Sequence, residues 1–260
     1  MIHAIKARLV QGYRTGKFPY KAPVLPEDFQ GVPRIRENNC AGNCTLCKDN
    51  CPTQAISIKD GKIFLDMGKC IFCTRCSEIC PDKNIAFTKE YRMGVFSRDK
   101  MIVTANGTFI PDEFQNKALK KLLGRSLKIR QVSAGGCNAC ELDFNVLGTL
   151  AWDMGRFGIQ AVASPRHADA VLITGPVSRN MLIALQKTFH AMPQPRCVIA
   201  CGTCAVSGGI YGEHHDEVCG AADQLLPVDL YVPGCPPHPA TLLDAILRLM
   251  GKKIVQQEKE

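Results

Sequence analysis

Between residues 127 and 250 the chain alternates short apolar runs with longer stretches of helical apolar period. Runs at 128–132, 159–164, 170–174, 197–200 and 229–232 read as strands. Stretches at 142–154, 180–191 and 240–250 read as helices. Strands alternating with helices predict a parallel, three-layer α/β domain over 127–260, with a charged tail at 252–260 that frays. Upstream the pattern breaks up. Pro19, Pro23, Pro26 and Pro33 punctuate residues 1–39, which predicts an extended arm lying on something else rather than a long helix. Residues 40–90 carry eight cysteines in two similar halves. Residues 91–126 read as a bridge, with a turn at Asn106-Gly107 and a short helix at 112–123 ended by Gly124.

Composition narrows the chemistry. With 260 residues, about two domains are expected, each large enough for its own core. A hydrophobic content of 46% excludes a disordered chain. No run of about 18 apolar residues is present, so no transmembrane helix is expected. Residues 1–14 lack a continuous apolar h-region, so no secretory signal is expected either. The 15 cysteines are odd in number and, without an export route, fit metal binding in a reduced cytosol better than disulfides.

Eight of those cysteines form a repeat. The first half reads Cys40-x3-Cys44-x2-Cys47-x3-Cys51-Pro52 and the second Cys70-x2-Cys73-x2-Cys76-x3-Cys80-Pro81. A [4Fe–4S] cube needs four inward-pointing thiolates. Three closely spaced cysteines wrap one side, and the fourth comes from the other half. The expected sets are Cys40, Cys44, Cys47 and Cys80 for a first cluster, and Cys70, Cys73, Cys76 and Cys51 for a second. Zinc motifs do not show this doubled, crossed spacing. The pattern resembles bacterial two-cluster ferredoxins, although Cys40 and Cys44 are one residue further apart than that family's usual spacing. The arm "KFPYKAPVLPEDFQGVPRI" and the stretch "GKCIFCTRCSEICPDKNIAFTKEYRMGVFSRD" also resemble the ferredoxin-like subunit of formate hydrogenlyase and, less closely, its complex I counterpart. The resemblance implies a ferredoxin-like α+β domain that docks on a membrane-facing redox arm.

A third set lies in "GGCNACE", "ACGTCAVSGG" and "VPGCPP": Cys137, Cys140, Cys204 and Cys235, each in a Gly-rich turn after an expected strand. The carboxyl ends of parallel strands are where such folds gather ligands. Four cysteines from three loops suit another [4Fe–4S] cluster. Together with "SPRHAD" and "VDLYVPGCPPHPATLL", these segments are similar to the small subunit of [NiFe] hydrogenases and to the matching complex I subunit. Cys137-x-x-Cys140-Glu141 follows the hydrogenase pattern, whereas complex I subunits carry two adjacent cysteines there. The chain therefore resembles a membrane-associated group 4 small subunit fused to its ferredoxin-like subunit. Cys197, Cys201 and Cys219 are left over; Cys197 reads as core, and the "GTC" context favours Cys204 over Cys201 as ligand. Glu141 reads as a proton relay or a hydrogen-bond anchor, and Arg166 as a charge that tunes the third cluster or as a structural ion pair.

The resemblance implies an electron wire with no bond-making residue of its own. It would exchange electrons between a formate dehydrogenase or ferredoxin donor and a [NiFe] large subunit that reduces protons. A nickel-free, complex I-like oxidoreductase and a stand-alone carrier are the alternatives. Membrane subunits of a complex I-like arm would place the chain peripherally on the cytoplasmic face of the inner membrane. The formal charge is +8, but three oxidised clusters at about −2 each leave roughly +2, so nucleic acid is not an expected partner. Two basic stretches remain to face an acidic partner or a lipid surface: Lys6, Arg8, Arg14, Lys17 and Lys21, and then Lys117 through Arg130.

Overall fold

The computed structural model describes residues 2–12, 15–36, 44–105, 107, 109–212 and 215–252. The first half is built of short elements: α1 (Ile2–Gln11), β1 (Pro33–Ile35), α2 (Leu46–Asp49), β2 (Ile56–Lys59), β3 (Lys62–Asp66), α3 (Arg75–Glu78), β4 (Ile85–Phe87) and β5 (Ile102–Thr104). β2 and β3 form a hairpin around Asp60-Gly61, both at positive φ as a two-residue turn requires. β5 pairs antiparallel with β3, and β1 pairs antiparallel with β4.

Strands of three to five residues bury little alone. The arm therefore lends β1, and the bridge lends β5, to the cysteine-bearing region between them. Two expectations change here. The arm begins with a helix, α1, because the first proline comes only at Pro19. Beyond Gly12 its described residues run extended, but over this chain's own surface. Arg156 donates to the carbonyls of Gly16 (2.6 Å) and Phe18 (2.5 Å), and Phe18 packs edge-on against Trp152 and Tyr91.

The second half contains α4 (Lys117–Leu123), β6 (Leu127–Ser133), α5 (Ala139–Val146), β7 (Ile159–Ala161), β8 (Ala170–Thr174), α6 (Arg179–Ala191), β9 (Cys197–Cys201), α7 (Thr203–Ser207), α8 (Ala222–Leu225), β10 (Leu230–Val232) and α9 (Pro239–Leu249). The strands form one parallel sheet in the order β10-β9-β8-β6-β7. Alternation within the strands makes three layers. Val132, Val171, Ile173, Val198, Ala200 and Tyr231 face one apolar cluster, which contains Leu185 and Phe189 of α6. Leu127, Ile129, Leu172, Ile199, Leu230 and Val232 face the other, which contains Phe144 of α5 and Leu242, Leu243 and Ile246 of α9. The first cluster continues into Ile63, Leu65 and Met101, so one core joins the cysteine repeat to the sheet.

All five expected strands are present. Two helices start or stop elsewhere. α4 begins at Lys117, not 112, because the Asn116 side chain caps it by accepting from the Leu119 N–H. α5 spans 139–146 rather than 142–154. Gly148 interrupts it, the chain turns through Thr149, and Asp153 sits at φ 45°.

α9 is capped by His238, whose Nδ1 accepts from the Ala240 N–H at 3.1 Å, while the ring stacks edge-on with Phe29 and Trp152. Burial lowers its pKa, so folding favours the neutral ring. The unfolded chain binds the extra proton, and stability must fall as pH drops through the ordinary His value of about 6.5. His238→Asn keeps a capping acceptor without the titration. Anaerobic denaturation midpoints between pH 7.5 and 5.5 should fall less steeply for His238→Asn than for the wild type; equal slopes would contradict the role given to His238.

Candidate iron–sulfur sites

The cysteine repeat is also a structural repeat. α2 carries Cys47 and α3 carries Cys76, and the two short helices pack together. Before each helix a threonine hydroxyl donates four residues on to an acid: Thr45 to Asp49 at 2.6 Å and Thr74 to Glu78 at 2.7 Å. After each helix the fourth cysteine accepts a backbone N–H from four residues on: Ala55 to Cys51 at 3.2 Å and Asn84 to Cys80 at 3.4 Å. Pro52 and Pro81 follow those cysteines and turn the chain away from helix.

Cys51, Cys70, Cys73 and Cys76 line one cavity, which brings the fourth cysteine of the first half to three of the second. Burial pushes the Cys70 thiol up to about 12; Cys76, Cys51 and Cys73 add to the rise, while the Phe72 N–H opposes it. Burial likewise raises Cys76 to about 12, and it feels Cys51, Cys73 and Cys47. Of the other set, Cys47 is buried, Cys44 and Cys80 are half-buried, and Cys40 lies outside the described residues.

The third set gathers at the carboxyl end of the parallel sheet. Cys137 follows β6, Cys140 lies in the first turn of α5, Cys204 lies in the first turn of α7 after β9, and Cys235 follows β10. Burial raises Cys204 to about 12, and the neighbouring Cys235, Cys140 and Cys137 add to the rise. Two glycines make room for sulfur. A Cβ on Gly202 would lie 2.5 Å from the Cys140 Sγ, and one on Gly209 would lie 2.7 Å from the Cys204 Sγ. Cys137 and Cys235 remain exposed.

Glu141 is buried, and its Oε1 accepts from the Thr174 hydroxyl of β8 at 2.6 Å. Its carboxylate anchors α5 to the sheet beside the third set. Arg166 lies elsewhere. It is exposed on the turn before β8, at the amino end of the sheet. The five residues of β8, at about 3.3 Å each, separate that end from the cysteine loops. The tuning role expected of Arg166 therefore has no geometric basis in this structure.

Cys201, the cysteine that the "GTC" context disfavours as a ligand, has a different place. It is fully buried at the end of β9 and shares a hydrogen bond with Cys140, which lowers the Cys140 pKa and raises its own. Cys197 is core, and burial raises it to about 12. Spacing carries no sign of Cys201's position; the inward alternation of β9 does.

Among the described residues no three His, Cys, Asp or Glu side chains close on a point as a single metal ion requires. The sets are all-thiol, the sulfur-bearing residues of the second line a cavity, and soft thiolates suit an iron–sulfur cluster. Sulfur-directed N–H groups and glycine-cleared sulfur pockets also fit a multi-atom centre.

Fold and thiol placement together define a parallel α/β protein with a set of cysteines at the carboxyl edge of its sheet. The family model described as "NADH ubiquinone oxidoreductase, 20 Kd subunit" matches residues 137–249, from the first to beyond the last cysteine of the third set. The probable membrane-bound hydrogenase subunit mbhJ of Pyrococcus furiosus is 37% identical over 134 residues, covering 52% of this chain and 80% of that protein. Formate hydrogenlyase subunit 7 of Escherichia coli is 40% identical over 155 residues, 56% of this chain and 60% of that one. An NADH-quinone oxidoreductase subunit of Geotalea daltonii is 43% identical over 117 residues, 45% of this chain and 68% of that one. The chain belongs to the NADH ubiquinone oxidoreductase 20 kDa subunit family. The cysteine repeat lies outside the segment the family model matches.

The sulfur clearance at Gly202 can be separated from backbone strain. Gly202 and Gly212 both have positive φ, but a Cβ on Gly212 meets nothing within 4 Å. Gly212→Ala should cost about 1 kcal/mol of stability, and Gly202→Ala about 2–4 kcal/mol because the Cys140 sulfur must also move. Equal shifts in anaerobic denaturation would show that the contact with sulfur contributes nothing.

Proposed function

We propose that this chain is an electron-transfer subunit with three [4Fe–4S] clusters, relaying electrons between an external donor and a [NiFe] large subunit that reduces protons to H₂. Cys40, Cys44, Cys47 and Cys80 would hold the first cluster, Cys51, Cys70, Cys73 and Cys76 the second, and Cys137, Cys140, Cys204 and Cys235 the third. When bound, such clusters supply one-electron oxidation and reduction. The residues of the chain fix the sulfurs, shield them from water and donate N–H groups to them. In this reading the chain joins a ferredoxin-like part to a hydrogenase small-subunit-like part, and the donor is a ferredoxin or a formate dehydrogenase.

The observation that carries the reading is where the third thiol set opens. Cys137 and Cys235 are exposed, and Leu142 and Leu150 near α5 and Ile210 and Tyr211 after α7 are exposed apolar neighbours in sequence. An apolar surface beside an open thiol set suits a permanent partner subunit better than a free carrier. Glu141 would stand behind this set as an anchor, with its carboxylate held by Thr174. α1 leaves Ile2, Ile5, Leu9 and Val10 exposed beside Lys6 and Arg8, a surface suited to the membrane subunits of a complex I-like arm. Attachment would be peripheral, on the cytoplasmic face of the inner membrane. Among the described residues no helix is long and apolar enough to cross a membrane.

A second reading replaces the partner's nickel site with the chemistry of a nickel-free, complex I-like oxidoreductase. The 43% identity to an NADH-quinone oxidoreductase subunit favours it. The Cys137-x-x-Cys140-Glu141 spacing favours the hydrogenase. Nickel content separates the two. The native complex, purified anaerobically through a tag on this chain, should hold about one nickel per chain beside its iron. Iron without nickel would overturn the hydrogenase reading and leave the complex I-like one.

A further inference from the structure

We propose that Thr203 is a positioning residue that locks the third thiol set against the second; this rests on the cluster assignment above. Thr203 is 1% exposed and precedes Cys204 at the start of α7. Its hydroxyl lies 2.8 Å from the Cys70 carbonyl, 133 residues away in sequence, and 3.1 Å from the Gly234 carbonyl. Its backbone N–H also donates to Gly234 at 2.8 Å. One side chain therefore touches a ligand of the second set, adjoins a ligand of the third, and holds the residue just before another, Cys235.

Other links between the halves involve no cysteine. Val95 bridges the backbone of Tyr231, and Arg248 of α9 donates to the carbonyls of Gly94 and Asp112. They hold neighbouring segments together through residues that are not cysteines of either set. The Thr203 hydroxyl has one proton, and the shorter distance assigns it chiefly to Cys70. Loss of the hydroxyl would leave the Cys70 carbonyl buried without this donor, and both ligand loops would gain freedom at once. The same contact gives the two thiol sets a short covalent and hydrogen-bonded connection: the Cys70 carbonyl, the Thr203 hydroxyl, and one peptide to Cys204.

Three variants of the full chain, in its native complex, test this. Thr203→Val keeps the shape and removes the hydroxyl, Thr203→Ser keeps the hydroxyl, and Thr203→Ala removes both. Amide hydrogen exchange should speed up about five- to tenfold in Thr203→Val, at residues 70–73 and 203–207 together, and return to wild-type rates in Thr203→Ser. EPR of the reduced protein should show a weaker magnetic interaction between the second and third centres in Thr203→Val, with iron content unchanged. Wild-type exchange and wild-type interaction in Thr203→Val would overturn the proposal. If Thr203→Val does not fold, Thr203→Ser loosened as much as Thr203→Ala would overturn it equally. A wild-type protein without iron would instead refute the cluster assignment, and the exchange data would still judge the contact.

Discussion

Sulfur gathered under burial is the constraint on which this structure turns. A buried thiolate beside other thiolates is unfavourable, and burial pushes the Cys70, Cys76 and Cys204 thiols up to about 12. A bound cationic centre would reverse that balance and make site formation part of folding. The surrounding architecture keeps the sulfurs facing one another. Gly202 and Gly209 clear space for them, backbone N–H groups of Ala55, Phe72 and Asn84 point at them, and Glu141 ties α5 to β8 through Thr174.

The two halves meet this constraint differently. In the repeat, four-residue helices and paired Thr–acid hydrogen bonds fix the cysteines locally, within a few residues of each. In the α/β half the cysteines come from three separate strand ends, and a parallel sheet sets their positions over long sequence distances. Arg248 binds the halves from behind. It pairs with Asp244 on α9 and donates to the carbonyls of Gly94 and Asp112, which holds the bridge against the sheet's helices. Cys137 and Cys235 of the third set stay exposed.

Much of this was legible in the sequence. The strands were readable because short β-branched and aliphatic runs faced two apolar layers, and β8 falls where its pattern places it. The cysteine repeat was readable because its spacing is local, and each half makes the same short-range hydrogen bonds. Other features depend on partners far away in the chain. Nothing local marks β1 or β5 as strands, since each forms only against another segment. α1 was hidden by the prolines that follow it, although Ile2, Ile5 and Leu9 keep helical spacing. Arg166 lies in a segment that resembles the same family as the third set's motifs, but β8 separates it from them. Thr203 and Cys201 look like ordinary residues beside a cysteine until the fold brings Cys70 and Cys140 to them.

Metal analysis tests most directly whether twelve thiols hold three four-iron centres. Iron and acid-labile sulfide should each be found at about twelve per chain in anaerobically purified protein, and at about eight in Cys235→Ser, which lacks one sulfur of the third set alone. Zinc in place of iron, or an iron content unchanged by Cys235→Ser, would contradict the account.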